Sequence, residues 1–211
     1  MQLIDNLNIG LQSLNLDLSA NEQILNYLKL LEQWNKVYNL TAVRNIEQML
    51  PKHVFDSLAV LPYICGTKIL DVGTGAGLPG LLLAIARPDW QIKLLDSNAK
   101  KIRFVKQVII ELKIENAVAV CTRIENLPSE EKFNTVISRA YTSIYDFYTQ
   151  TAKFVDKNGC LLVMKGVYPK AEIAAMKQLP VDVESAILQV PMLPAVRHLV
   201  KINLNSKMDN I

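Results

Sequence analysis

The chain reads as an α/β fold built on a mostly parallel, doubly wound sheet. Three observations predict it. From Lys68 onward, short apolar runs alternate with stretches of helical periodicity. The first run, residues 68–72, leads into a turn carrying Gly73, Gly75, Gly77 and Gly80, then into an apolar segment from Leu81 to Ala86. The tail breaks the alternation: residues 182–190 and 198–204 are strand-like runs joined by a loop with Pro191 and Pro194. With no helix between them, they predict an antiparallel hairpin at the sheet edge.

The elements follow in order. Residues 1–18 form a weak amphipathic segment broken by Gly10. Ser19 and Glu22 have the spacing of a capping box for a helix over residues 20–36. Ile24, Leu28, Leu31 and Val37 lie at helical spacing, flanked by Leu25, Leu30 and Trp34. Asn39-Leu-Thr-Ala leads out as a loop. A second helical stretch covers residues 46–61 and is interrupted or restarted at Pro51. Residues 1–62 therefore form a helical cap on the Rossmann-like core of residues 63–211, within a single domain spanning 1–211. The strands are 68–72, 91–96, 117–122, 134–138 and 160–164. The helices between them are 80–87, 98–113 and about 143–154. In the helix over 98–113, Ile102, Val105, Val108, Ile109 and Leu112 point inward.

Composition excludes several function classes. Half of the 211 residues are apolar, enough for a core without covalent staples. Three cysteines, Cys65, Cys121 and Cys160, are far apart in sequence, and the two histidines stand alone, so no metal-ligand spacing exists. No leader and no membrane-length apolar run is present, so the expected location is cytoplasmic. The net charge of +3 is modest, but residues 87–106 concentrate Arg87, Lys93, Lys100, Lys101, Arg103 and Lys106. Beside a glycine loop, such a cluster is a solvated helix face or a footprint for a phosphate-bearing partner.

In an open α/β sheet, ligands bind at the C-terminal ends of the strands. The loops after residues 72, 96, 122, 138 and 164 share that rim. Gly75 to Gly80 match the dinucleotide fingerprint G-x-G-x-x-G, with Asp96 placed to bind ribose hydroxyls. S-adenosylmethionine competes for the same loop: its carboxylate would face the helix N-terminus and its cationic end Asp71. An acid two residues before the first glycine, the antiparallel tail and the short chain favour adenosylmethionine. A phosphate-binding P-loop is excluded, because no Gly-Lys-Ser/Thr follows the glycines.

Asp71-Val-Gly-Thr-Gly-Ala-Gly-Leu-Pro-Gly80 resembles the glycine motif of class I methyltransferases. Its Leu-Pro-Gly ending is similar to that of the glucose-inhibited division protein B family, bacterial 16S rRNA guanine-N7 methyltransferases. The resemblance extends through Trp34-Asn-Lys-Val-Tyr-Asn-Leu-Thr-Ala42, His53-Val-Phe-Asp-Ser57, Leu94-Leu-Asp-Ser97, Val136-Ile-Ser-Arg-Ala140, Lys165-Gly166 and Arg197-His-Leu-Val200. Pro51 departs from the uninterrupted helix expected there. The resemblance implies a class I S-adenosylmethionine-dependent fold acting on a decoding-region guanine of 16S rRNA, free or in an assembling small subunit. It implies cofactor contacts from Asp71, Gly73, Gly75, Gly77 and Leu78, from Asp96 and Ser97, from the adenine pair Ile124 and Glu125, and from Arg139. By residue type alone, Leu78 is equally a core residue and Glu125 a solvated or capping charge.

Guanine N7 has a lone pair and no proton, so its attack needs positioning rather than a general base. No Asn/Asp-Pro-Pro-Tyr or Pro-Cys signature occurs, and Cys121 reads as core. Arg139 and Arg197 are the candidate catalytic residues, surrounding the base or its phosphates with Lys165. Arg123 lies nearby, and Lys100, Lys101 and Arg103 farther out. His53 and Asp56 either orient a loop against RNA or pair within a helix to pack the cap. The expected assembly is a metal-free monomer. Alternative readings are a methyltransferase for a small molecule or protein, a non-catalytic nucleotide-binding module, and a dehydrogenase.

Overall fold

A computed structural model describes residues 2–139, 141 and 143–204. Ala140, in the Ser-Arg-Ala motif, lies outside the described residues. Seven strands form one sheet: β1 Lys68–Val72, β2 Gln91–Asp96, β3 Ala117–Cys121, β4 Phe133–Arg139, β5 Val155–Lys165, β6 Val181–Leu188 and β7 Arg197–Leu204. Their order is β3-β2-β1-β4-β5-β7-β6. The first five strands pair in parallel. β7 pairs antiparallel with both β5 and β6, which makes the expected edge hairpin. Strand order reverses between β1 and β4, so the switch point lies above those two strands.

Helices α1 Gln2–Ser13 and α2 Asn21–Tyr38 form the cap with a third helical run. That run passes from α3 Ile46–Met49 through a π-helical turn, Leu50–Phe55, into α4 Asp56–Leu58. Pro51 therefore widens the helix instead of ending it. Proline supplies no amide hydrogen, and the Asp56 amide reaches back to the Pro51 carbonyl. The core helices are α5 Gly80–Ala86, α6 Ala99–Glu111, α7 Ile144–Thr151 and α8 Lys170–Met176. The last of these was not expected from the sequence.

Local chemistry corrects four sequence expectations. Ser19 and Glu22 do not build a capping box. Asp17 instead accepts from the Ser19 amide, and α2 starts after a short 3-10 turn. Val37 is 70% exposed, whereas Asn35 is buried and holds the following loop through the Val43 carbonyl and the Thr41 amide. Cys121 is exposed rather than core, while Cys65 and Cys160, distant in sequence, bring their sulfurs within 2.9 Å. Gly10 does not break α1. The Phe55 ring packs where its side chain would stand, and a Cβ there would lie 1.9 Å from Phe55 Cζ.

That contact locks α1 onto the third helical run within the cap, and the cap in turn packs on the core. Leu7, Leu11, Ile24 and Leu28 share one apolar cluster with Ile69, Leu82, Leu94 and Phe104. Tyr27, wholly buried in α2, donates its hydroxyl to the Ala76 carbonyl in the glycine loop at 2.9 Å. An alanine inside a helix ordinarily stabilises by about 1 kcal/mol relative to glycine. Here Gly10→Ala should destabilise by about 1–3 kcal/mol, because overpacking against Phe55 dominates. Urea unfolding of Gly10→Ala alone, and of Gly10→Ala with Phe55→Leu, checks this. The second substitution should recover part of the loss.

Candidate functional site

The rim is built from the glycine loop outward. Gly73, Gly75 and Gly77 all have positive φ (71°, 60° and 85°), a backbone region in which side chains are strained. Asp71 lies beneath them with no exposed surface. Its Oδ2 accepts from the Thr74 hydroxyl at 2.6 Å and the Gly80 amide at 2.9 Å. Burial pushes its pKa up to about 6, against the pull of those two donors and of Arg139. Asp71 is thus a support of the loop, not a side chain open to a ligand; its Oδ1 has no hydrogen-bond partner among the described residues. A Cβ on Gly80 would lie 2.2 Å from Leu94 Cδ2 and 2.8 Å from Asp71 Oδ2, so only glycine lets the helix approach the strand so closely.

The helix N-terminus is not an open anion cradle. The Gly80 amide is bound to Asp71, and the amides of Leu81, Leu82 and Leu83 bond to the carbonyls of Gly77 and Pro79. Leu78, 2% exposed, packs in the core. Of the residues expected from this loop, Gly73 borders open space, whereas Gly75, Gly77 and Leu78 do not line the cleft above it.

A first cleft of about 330 Å³ opens there, over the ends of β1, β2 and β3. Gly73, Asp96, Ser97, Ile124 and Glu125, five of the residues expected at the cofactor, line it together with Arg123. Asp96 forms its wall, accepting from the Gly75 amide at 2.9 Å and the Asn98 amide at 2.8 Å. Lys101 Nζ stands 3.8 Å from the same carboxylate. Thr122, Tyr141 and Gln150 also line the cleft and were not anticipated. A Cβ on Gly73 would meet nothing within 4 Å, so the loop there borders free space. An acid fixed by backbone amides, a bare glycine backbone and a buried isoleucine beside a glutamate suit a nucleoside carrying an amino-acid arm. Lys100 and Arg103 are exposed on α6, and neither lines this cleft.

A second cleft, about 410 Å³, lies across the switch point, over the ends of β4 and β5 and the start of β7. Arg139, Lys165 and Arg197 line it with Lys52, His53 and Asp56. Arg123, expected beside these cations, belongs to the first cleft instead. Arg139, expected at both cofactor and base, lines the second cleft and not the first. Asp56 is buried and lies 3.3 Å from both Arg139 Nη1 and Arg197 Nε. Arg139 also donates to the Lys52 carbonyl at 3.1 Å. Burial raises the Asp56 pKa, and the two arginines offset part of that rise. Lys165 is held by Glu172 of α8 at 2.9 Å.

His53 binds the Lys52 carbonyl through Nδ1, which is therefore the donor, leaving Nε2 to accept from the Thr41 hydroxyl at 2.8 Å. Burial and then Arg139 depress its pKa to about 4. His53 and Asp56 do not pair with each other: Asp56 clamps arginines, and His53 braces the loop after α2. Among the described residues, no group of three or more His, Cys, Asp and Glu side chains is placed to hold a metal ion.

Two outcomes follow. His53 titrates at about 4 in the folded chain against 6.5 in the unfolded one, so its contribution is full above pH 6.5 and declines as pH falls toward 4. Urea unfolding at pH 7 and pH 5 should show roughly 2 kcal/mol of loss from this group, absent in His53→Gln. Asp56→Ala leaves two partly buried arginines without a counter-charge. It should cost about 1–3 kcal/mol, less than for fully buried pairs because both guanidinium groups touch solvent.

Comparison with known proteins agrees with this geometry. The family model for rRNA small subunit methyltransferase G (GidB) matches residues 20–200. A curated Ribosomal RNA small subunit methyltransferase G of Laribacter hongkongensis (strain HLHK9) is 48% identical over 209 residues, covering 97% of this chain and 100% of that protein. The protein of the same name from Nitrosococcus oceani is 46% identical over 192 residues, covering 91% of this chain and 90% of the relative. Among solved structures, a SAM dependent methyltransferase from Aquifex aeolicus superposes with a TM-score of 0.59 at 16% identity, over 74% of this chain and 93% of that one. Magnesium protoporphyrin IX methyltransferase from Synechocystis PCC 6803, solved with bound SAM, gives 0.55 at 13% identity over 84% and 97%. The fold is that of S-adenosylmethionine-dependent methyltransferases, and the chain belongs to the rRNA small subunit methyltransferase G (GidB) family.

Proposed function

We propose that this chain methylates N7 of a guanine in the decoding region of 16S rRNA, acting in the cytoplasm on free rRNA or on a small ribosomal subunit. The family and the names of its relatives support rRNA of the small subunit as substrate. No described helix is long and apolar enough to cross a membrane.

The observation that carries the N7 assignment is the floor of the second cleft. Its buried carboxylate, Asp56, is committed to Arg139 and Arg197. Its buried histidine, His53, is neutral with both ring nitrogens engaged. This floor offers positioned cations and no free base. An acceptor atom that already has a lone pair and carries no proton suits it, and guanine N7 is such an atom.

The first cleft would hold S-adenosylmethionine, with Asp96 toward the ribose hydroxyls, Ile124 and Glu125 at the adenine, and the Gly73 backbone at the methionine arm. When bound, the cofactor supplies an electrophilic methyl group on a sulfonium. The chain's own contribution is alignment. Arg139 and Arg197, pre-set by Asp56, donate toward guanine O6 or flanking phosphates and leave N7 free. Alignment of this kind is worth up to roughly 7–11 kcal/mol of barrier.

Chemical cleavage mapping of N7-methylguanine in 16S rRNA, from cells lacking this protein and from complemented cells, tests the reading. One N7-methylguanine should vanish and return on complementation; an unchanged pattern contradicts it. Arg197→Ala should lower kcat/KM for rRNA about 100-fold or more, in line with loss of a charged transition-state donor, with S-adenosylmethionine affinity unchanged in titration calorimetry. Glu125→Ala should show the reverse split, weakening the cofactor and sparing RNA binding.

A further inference from the structure

The mouth of the second cleft carries a feature that neither the fold nor the cofactor requires. β5 ends at Lys165, and residues 166–169 lead into α8. Tyr168 in this connection is 47% exposed, with its ring centroid 5.4 Å from that of His198 at an interplanar angle of 59°. His198 itself lines the cleft beside Arg197 and Lys165. Val167 is 81% exposed in the same connection, and Ile187, 59% exposed, pairs with His198 across β6 and β7. Neither Val167 nor Tyr168 joins the apolar clusters of the core.

The connection is held at both ends. Lys165 is tied to Glu172, the Lys170 amide bonds to the Tyr168 carbonyl at 3.0 Å, and the Ile173 amide to the Pro169 carbonyl at 2.9 Å. An aromatic ring is thus presented to solvent on a braced segment, backed by an imidazole and bordered by cations. That combination matches the surface that binds unstacked nucleobases, where aromatic faces replace the neighbours a base has lost. A guanine can reach a recessed cleft only by leaving its stack, which also exposes a face of the adjoining base.

We propose that Tyr168, backed by His198, is a stacking platform for the nucleobase next to the methylated guanine. The inference rests on RNA being the substrate. Because every base has a π face, the platform contributes to affinity for an unstacked strand and tolerates any base at that position.

Steady-state kinetics at saturating S-adenosylmethionine tests it, using whichever of protein-free 16S rRNA or small subunits the wild-type protein methylates. Tyr168→Ala should raise KM for RNA about tenfold, with kcat and cofactor affinity little changed, and Tyr168→Phe should match wild type. An abasic nucleotide beside the target guanine should raise KM for wild type similarly and add no further loss to Tyr168→Ala. An unchanged KM in Tyr168→Ala overturns the platform while leaving the methylation reading intact. So does a loss additive with the abasic substitution at both neighbouring positions, or one seen on small subunits but not on protein-free RNA that wild type methylates. A wild-type protein that methylates neither substrate overturns the function and the platform with it.

Discussion

The structure turns on a carboxylate that water never reaches. Asp71, next to last in its buried strand, lies beneath the glycine loop and accepts at one oxygen from the Thr74 hydroxyl and the Gly80 amide. Burying that charge is costly, as its elevated pKa of about 6 shows. What it secures is the path of the chain from β1 into α5. Three glycines in the left-handed region would otherwise sample many conformations. Tyr27 holds the same loop through Ala76, which couples the helical cap to the glycine loop.

From this fixed loop the rim divides at the reversal of strand order. On the side of β1, β2 and β3, the cleft is walled by Asp96, itself oriented by two backbone amides. On the side of β4, β5 and β7, it is floored by Asp56 and its two arginines. The antiparallel insertion of β7 matters chemically: it carries Arg197 and His198 to the same end of the sheet at which the parallel strands finish. A wholly parallel sheet would turn the start of that strand to the opposite rim. One carboxylate serving two guanidinium groups leaves net positive charge facing the cleft, as an RNA backbone or the O6 of guanine requires.

Much of this was legible in the sequence where the signal is local. Strand and helix periods, the glycine turn and the Asp96 strand end each depend on residues a few positions apart, and the parallel pairing followed from their alternation. The first cleft gathers five of its ten expected residues for the same reason: they sit at the ends of consecutive strands. Long-range pairing left no such mark. The clamp of Asp56 on Arg139 and Arg197 and the Tyr27 bond to Ala76 join distant segments, and no spacing announces them. That the side chains of Leu78 and Asp71 are buried had no signal in the motif, which gives residue order without saying which side chains point inward. Pro51 was read as a break because proline usually is one; a π turn accommodates it here without loss of the helix axis that carries His53 and Asp56.

The central claim is that this protein orients its acceptor and removes no proton from it. Single-turnover methyl transfer from S-adenosylmethionine to 16S rRNA, measured from pH 7 to pH 8.5, tests this most directly. Below that window His53 and Asp71 begin to take up protons. The account predicts a rate that stays level across the window, with methyl appearing at guanine N7. A rate that climbs tenfold per pH unit, as loss of a proton from the acceptor to solvent before attack would require, contradicts it.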